Sequence, residues 1–183
     1  MPRILLAFAL VTWLAACSSP PPALTGAMTA PSLLVTGDVE RELRLDAAAF
    51  ERLFAGEIGP VEHRTKQGTV TLRGLPLLPV IEAARPRYGD EQKHPEQCFA
   101  VLLRARDGYA VAFANEELRP DRDGRHRIRL AFAEEDGPLP DRFAPARLVI
   151  DDQGGNSRRI AGLTEIVVID LRRAAADLEE RRP

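Results

Sequence analysis

At 183 residues, with 28% charged and 45% hydrophobic side chains and a formal net charge of -2, the chain has the length for one domain with a buried core and the apolar content of a folded protein. Its arginines alternate with Asp and Glu instead of forming a basic stripe, which leaves a solvated mixed surface and argues against a nucleic-acid partner.

The first segment, MPRILLAFALVTWLAACSSPPP, has one cationic side chain, Arg3, an apolar run from Ile4 to Leu14 and then small residues, the order of a secretory signal. The run falls short of the about 20 residues that span a bilayer. Its end, Leu14-Ala15-Ala16-Cys17, resembles the lipobox of bacterial lipoproteins. That resemblance implies a signal peptide over residues 1–16, lipidation of Cys17 and a protein held to the periplasmic side of a membrane by acyl chains. Each buried CH2 of such a chain adds roughly 0.8 kcal/mol of membrane affinity. Ser18 after the cysteine, where Asp would retain the protein at the inner membrane, implies the outer one. Of the 2 cysteines only Cys98 then keeps its thiol, so no intramolecular disulfide can form in the mature protein. In QCFAVLLRA, Cys98 reads as a small buried residue of a strand.

Residues 17–31, rich in Ser, Pro, Ala and Thr with no apolar period, read as a flexible tether. SLLVTGDVERELRL then predicts two short strands. DAAAFERLFAG predicts a helix with Asp46 as N-cap, Phe50, Leu53 and Phe54 on its buried face and Gly56 at its end. GTVTLRG alternates as a strand after the Gly68 turn, and LPLLPVIEAA follows as a helix with prolines in its first turn, stopped by Arg85-Pro86. RPRYGDEQKHPEQ reads as a surface loop. CFAVLLRARDGYAVAFA predicts a hairpin turning at Asp107-Gly108, with Asn115 capping a short helical turn after it. RHRIRLAFAEEDGPLP gives a strand and a turn at Asp136-Gly137, ARLVIDDQGGNSRR a strand and a glycine-rich loop, and LTEIVVIDL a buried final strand. Residues 172–183 form a charged tail or exposed helix. Strands that follow one another late in the chain, with helices only early, predict an α+β domain over residues 32–171 with mixed, largely antiparallel β-sheets and a few short helices.

Few residues carry chemistry by themselves. His63, His94 and His126 are not at metal-ligand spacing. PDRDGR lacks the closing glutamate of a calcium loop and reads as a surface turn. Ser157 has no nucleophile-elbow pattern around it, and the neighbouring pairs Glu116-Glu117, Glu134-Glu135 and Asp151-Asp152 would point to opposite faces of a strand. The loop Gly154 to Arg159 is either a solvated connection or a nest of backbone N–H groups able to hold an anion with Arg158 or Arg159.

Gly37, Gly74 with Pro76-Leu77, Asp107-Gly108-Tyr109 and Gly137-Pro138-Leu139 occur in the order found in the sulfite oxidase family, and the chain from Ser32 to Leu171 resembles its molybdopterin-binding domain. The resemblance implies that fold and, in the enzymes, a cysteine before the Gly-x-Pro-Leu helix that binds molybdenum. Val61 to Arg73 contains no cysteine, Arg73 replaces a common aromatic residue, and Cys98 lies beyond the helix. The expectation is therefore a non-catalytic domain with no cofactor, tethered to the membrane through Cys17, that binds an anionic small molecule or an envelope protein partner. The ligand-binding candidates are His63, Arg64, Lys66, Arg104, Arg106, Arg158 and Arg159, gathered in one pocket. The alternatives are a molybdopterin-dependent oxidoreductase, or its accessory subunit, and a purely structural envelope lipoprotein.

Overall fold

The computed structural model describes residues 30–65, 67–88, 93–151 and 158–181. Cys17, Lys66 and the glycine-rich loop at 152–157 lie outside them. Among the described residues the fold is α+β, with three α-helices and ten strands in two largely antiparallel sheets.

Sheet one contains β1 (Leu33–Gly37), β2 (Leu43–Leu45), β5 (Phe99–Ala105), β6 (Ala110–Ala114) and β10 (Leu163–Asp170), in the order β2-β1-β10-β5-β6. Its last strand in sequence is its middle strand in space, and β1 runs parallel to it. Sheet two contains β3 (Gly59–Thr65), β4 (Gly68–Pro76), β7 (Ile128–Glu134), β8 (Gly137–Pro138) and β9 (Arg147–Ile150). β4 lies between β3 and β7, while β8 and β9 share the other side of β7.

Helix α1 (Ala47–Phe54) starts as its sequence requires, with Asp46 Oδ1 accepting the Ala49 N–H at 2.7 Å. Phe50 and Phe54 point inward as expected, but Leu53 is exposed and Ala49 takes the third buried place, because a helix this short offers the core a narrow stripe. Phe50 stacks on Phe132 of β7 with centroids 4.7 Å apart. Helix α2 (Leu77–Ala83) follows Pro76 and ends where Arg85 adopts the left-handed conformation at φ 55°, with Pro86 blocking continuation. Helix α3 (Leu171–Glu180) is capped by Asp170, whose Oδ1 accepts the Arg172 N–H at 3.0 Å, and it buries no residue.

The two sheets share one core. Val35, Val101, Leu103, Ile166 and Val168 of sheet one pack in the same cluster as Leu75, Leu130, Phe132 and Leu148 of sheet two and the inner faces of α1 and α2. Each large side chain fully buried there contributes roughly 1.5–3 kcal/mol. Sheet two is apolar on its other face as well: Val61, Leu72, Ala131 and Val149 form a second cluster under Leu139, Phe143 and Ala144 of the segment that leads into β9.

Two of the glycines on which the expected resemblance rests have a packing reason. A Cβ on Gly74 would sit 2.0 Å from the Leu130 carbonyl oxygen, at the register shift between Arg73 and Gly74, and one on Gly37 would sit 2.2 Å from that of Val168. Three local expectations are corrected. Cys98 closes a 3-10 turn (Pro95–Cys98) before β5 and is only partly buried, because the strand begins at Phe99. Asn115 does not cap the turn that follows β6. The Glu117 carboxylate accepts the Ala114 N–H at 2.9 Å instead, while buried Asn115 donates to the Glu96 carbonyl at 3.2 Å and joins the two 3-10 turns. The turn at Asp136-Gly137 lies one residue earlier, on Glu135-Asp136, since Gly137 already pairs with Glu134.

Candidate functional site

Consecutive residues of β3 face opposite sides of sheet two, so His63 and Arg64 open onto different surfaces. His63 is 7% exposed, and its Nε2 lies 2.7 Å from Arg147 Nη2 on β9. A guanidinium only donates, so Nε2 accepts and the ring proton belongs on Nδ1, which is buried with no hydrogen-bond partner among the described residues. Burial first, then the charges of Arg147 and Arg159, hold His63 down at about 4 against an ordinary 6.5, so the ring is neutral at pH 7. Burial, together with Arg159 and Arg142, also lowers the Arg147 guanidinium, with Glu134 acting in the opposite sense. Phe143 relieves some of this crowding, with the guanidinium carbons of Arg147 and Arg142 at 4.4 and 4.5 Å from its ring centre.

Two clefts flank this sheet. The first, of about 620 Å3, runs from Pro60, Glu62 and Arg64 on β3 to Ile150 and Asp151 at the end of β9, with Arg125, His126 and Arg129 above it and Arg159 across it. Arg159 donates to the Arg64 carbonyl and to the Ile150 carbonyl, each at 3.4 Å, so a single guanidinium ties β3 to β9. The Leu148 N–H donates to the Ile160 carbonyl and the Leu163 N–H to the Ala146 carbonyl, both at 2.8 Å, which pins the segment carrying Arg159 along β9. Arg129 has its Nε buried without an acceptor and no carboxylate at ion-pair distance among the described residues. The second cleft, of about 640 Å3, opens over His63 and Arg147 between Thr69 and Thr71 of β4 and Glu134, Glu135 and Asp136.

The expected single pocket is thereby divided. Arg64 and Arg159 meet in the first cleft, and His63 lines the second. Arg104 lies on sheet one, paired with Glu165 of β10 at 3.3 Å. Arg106 donates to the Asp141 and Ala144 carbonyls at 3.2 and 2.7 Å, binding the hairpin tip to the segment before β9. Arg158 makes two 3.0 Å contacts with one oxygen of Glu117 and lies 3.9 Å above the Phe113 ring, beside β6. These three arginines already have intramolecular work. Arg125, Arg129, Arg142 and Arg147, which sequence reasoning did not propose, and His126, which it weighed only as a metal ligand, complete the clefts. A usable signal was an arginine set among apolar residues in RHRIRL and ARLVI, on strands whose other residues are mostly buried. PDRDGR is the turn expected of it: Asp121 Oδ1 accepts the N–H groups of Asp123 and Arg125 at 3.0 and 2.9 Å.

The residues present do not fit the molybdenum group of the family. No thiol occurs from Val61 to Arg73, Cys98 precedes a strand of the other sheet, and the available nitrogen of His63 accepts from a guanidinium. Arg73, expected to replace an aromatic residue of that family, pairs with Glu51 at 2.8 Å. Among the described residues no group of three or more His, Cys, Asp and Glu is arranged to hold a metal ion, and no helix is long and apolar enough to cross a membrane. No protein-family model matches this chain, and no curated protein matches it either.

Proposed function

We propose that this is a lipid-anchored protein of the periplasmic side of a bacterial membrane, attached through Cys17, whose domain is a non-catalytic binding module of the sulfite-oxidase molybdopterin-binding kind. Its ligand is an anionic small molecule or an acidic segment of an envelope partner. The supporting observation is Arg129, which borders a cleft shared with Arg64, Arg125 and Arg159 and has its Nε buried with no acceptor. A buried donor without an acceptor is destabilising, and an anion in the cleft would supply the acceptor that the described residues do not give Arg129 Nε.

Calorimetric titration with phosphate, succinate and ethane-1,2-disulfonate tests this reading. At least one should bind, and Arg129→Gln should weaken that binding at least tenfold; equal affinity in the variant removes Arg129 from the site, and absence of binding by all three leaves a structural lipoprotein as the better account. Cys17→Ser should accumulate an unlipidated precursor, and a normally lipidated product would overturn the anchor. The order of the motif glycines also supports a second reading, a molybdopterin-dependent oxidoreductase or its accessory subunit. Stoichiometric molybdenum with pterin fluorescence in protein from a molybdenum-replete host would establish that reading over ours.

A further inference from the structure

An open sheet edge presents main-chain groups that another chain can pair with, and this fold treats its edges unequally. Strand β6 ends sheet one, yet its outward groups are taken. The Ala112 carbonyl accepts from Arg158 at 3.3 Å, and the Ala114 N–H donates to Glu117 at 2.9 Å. The outer side of β9 is covered by the segment after it, where the Leu148 N–H donates to the Ile160 carbonyl at 2.8 Å and the Ile150 carbonyl accepts from Arg159. The edge strands β2 and β8 are only 3 and 2 residues long. Strand β3, with 7 residues, also ends its sheet, and it borders the first cleft through Pro60, Val61, Glu62 and Arg64.

Three facts fix which of its main-chain groups face outward. The β3–β4 register runs unbroken from Gly59 opposite Gly74 to Thr65 opposite Gly68, so the groups of β3 alternate regularly between β4 and the free edge. The Arg64 carbonyl is on the free side, because it accepts from Arg159. Pro60, which has no N–H to give a ladder, stands at the same parity. With the Arg64 carbonyl engaged, the outward groups are the Arg64 N–H, the N–H and carbonyl of Glu62 and the Pro60 carbonyl, on an edge that no described strand pairs.

Side chains decide what fits there. Pro60, Glu62 and Arg64 are exposed on one side of β3, a proline and two charges that discourage indiscriminate pairing. The Arg129 guanidinium reaches the start of the strand, with Nη2 4.0 Å from where a Cβ on Gly59 would lie. Around the cleft four arginines face three carboxylates, and Val61 and Val149 add apolar surface. A segment with one net negative charge therefore completes the cleft, whereas β3 of a second copy would bring Glu62 and Arg64 together and add none. We propose that the first cleft takes an extended segment of a partner protein as an added antiparallel strand on β3, with a carboxylate side chain opposite Arg64 and a hydroxyl side chain opposite Glu62. This rests on the binding reading above and specifies its ligand as a polypeptide held through its main chain.

The test uses acetyl-Thr-Asp-Val-Thr-Val-Ser-amide at one fixed pH, so that titration of His126, which also lines the cleft, does not enter. With its aspartate opposite Arg64, its fourth residue lies opposite Glu62 and exchanges both main-chain bonds with it. Followed by NMR, the Glu62 and Arg64 amides should exchange with solvent as open groups in the free protein, and saturating peptide should slow both at least about tenfold. N-methylation of the fourth peptide residue removes the donor to the Glu62 carbonyl and should weaken binding about tenfold; N-methylation of the third, whose N–H points away from β3, should change it no more than about twofold. Equal affinity of the two methylated peptides, or no slowing at Glu62 and Arg64, overturns strand addition. So does failure of the peptide to bind a protein that binds one of the three anions above, which leaves the anion reading standing; failure of peptide and anions alike sinks both. Glu62 and Arg64 amides already protected in the free protein also overturn the proposal, and dimerisation in sedimentation would then assign the edge to a second copy.

Discussion

The two sheets treat their arginines differently. On sheet one and the helix that follows it, Arg104, Arg158, Arg172 and Arg173 pair with Glu165, Glu117, Asp170 and Asp38. On sheet two and its covering segment, Arg129, Arg142 and Arg147 have no carboxylate at ion-pair distance among the described residues, and two of them have a buried Nε without an acceptor. Arg73 of β4 is paired with Glu51, so the contrast belongs to β7, β9 and their covering segment, where the charges left unmatched are the ones the proposed binding role would use. The shared apolar core permits this, because stability comes from packing between the sheets and these arginines need not contribute to it.

This contrast can be broken at four points. The core is the largest: Phe50→Ala removes the ring stacked on Phe132 and should cost about 3–5 kcal/mol in chemical denaturation, with both sheets lost in one transition. Separate transitions would mean that the sheets are not one unit. Acid comes next. The stability lent by a neutral His63 is complete above pH 6.5 and is lost as pH falls to about 4. On sheet one the Arg172 hydrogen bond leads in lowering Asp170, and Glu117, which burial pushes up, is pulled down further by Arg158. Their contributions persist until pH drops below the ordinary carboxylate range. Loss of stability between pH 6.5 and 5 should therefore be smaller in His63→Gln than in the wild type, and an equal loss would place its origin elsewhere.

Arg129→Met offers a third contrast, since it replaces an unmatched charge with an apolar chain of similar length. It should stabilise the ligand-free protein by about 1 kcal/mol while weakening anion binding. Destabilisation would show that the guanidinium already has a compensating partner. The smallest effect belongs to sheet one, where Arg158→Ala opens an exposed pair and should cost no more than about 1 kcal/mol by thermal melting.

Much of the scaffold could be read from local chemistry. The Asp46 cap, the Asp107-Gly108 hairpin with Gly108 at φ 87° and the buried run LTEIVVIDL each depend on neighbouring residues alone. The site was harder to see because it depends on a face. An arginine among apolar strand residues looks like the wet side of a strand, and Arg147 acquires another meaning because Phe143 folds back against it. Arg104 and Arg158 were plausible ligand residues until Glu165 and Glu117, 61 and 41 positions away, proved to occupy them. Cys98 fell one residue outside the strand assigned to it, which is the usual uncertainty of an element boundary.

Because β1 runs parallel to β10, the chain enters sheet one at the end where β10 begins and leaves it, into α3, at the end where β10 finishes. That polarity supplies a practical handle. Helix α3 starts at the end of sheet one opposite the Asp107-Gly108 tip and buries none of its side chains, which makes it a place for a label. Probes placed there touch neither cleft, since no residue of α3 lines one.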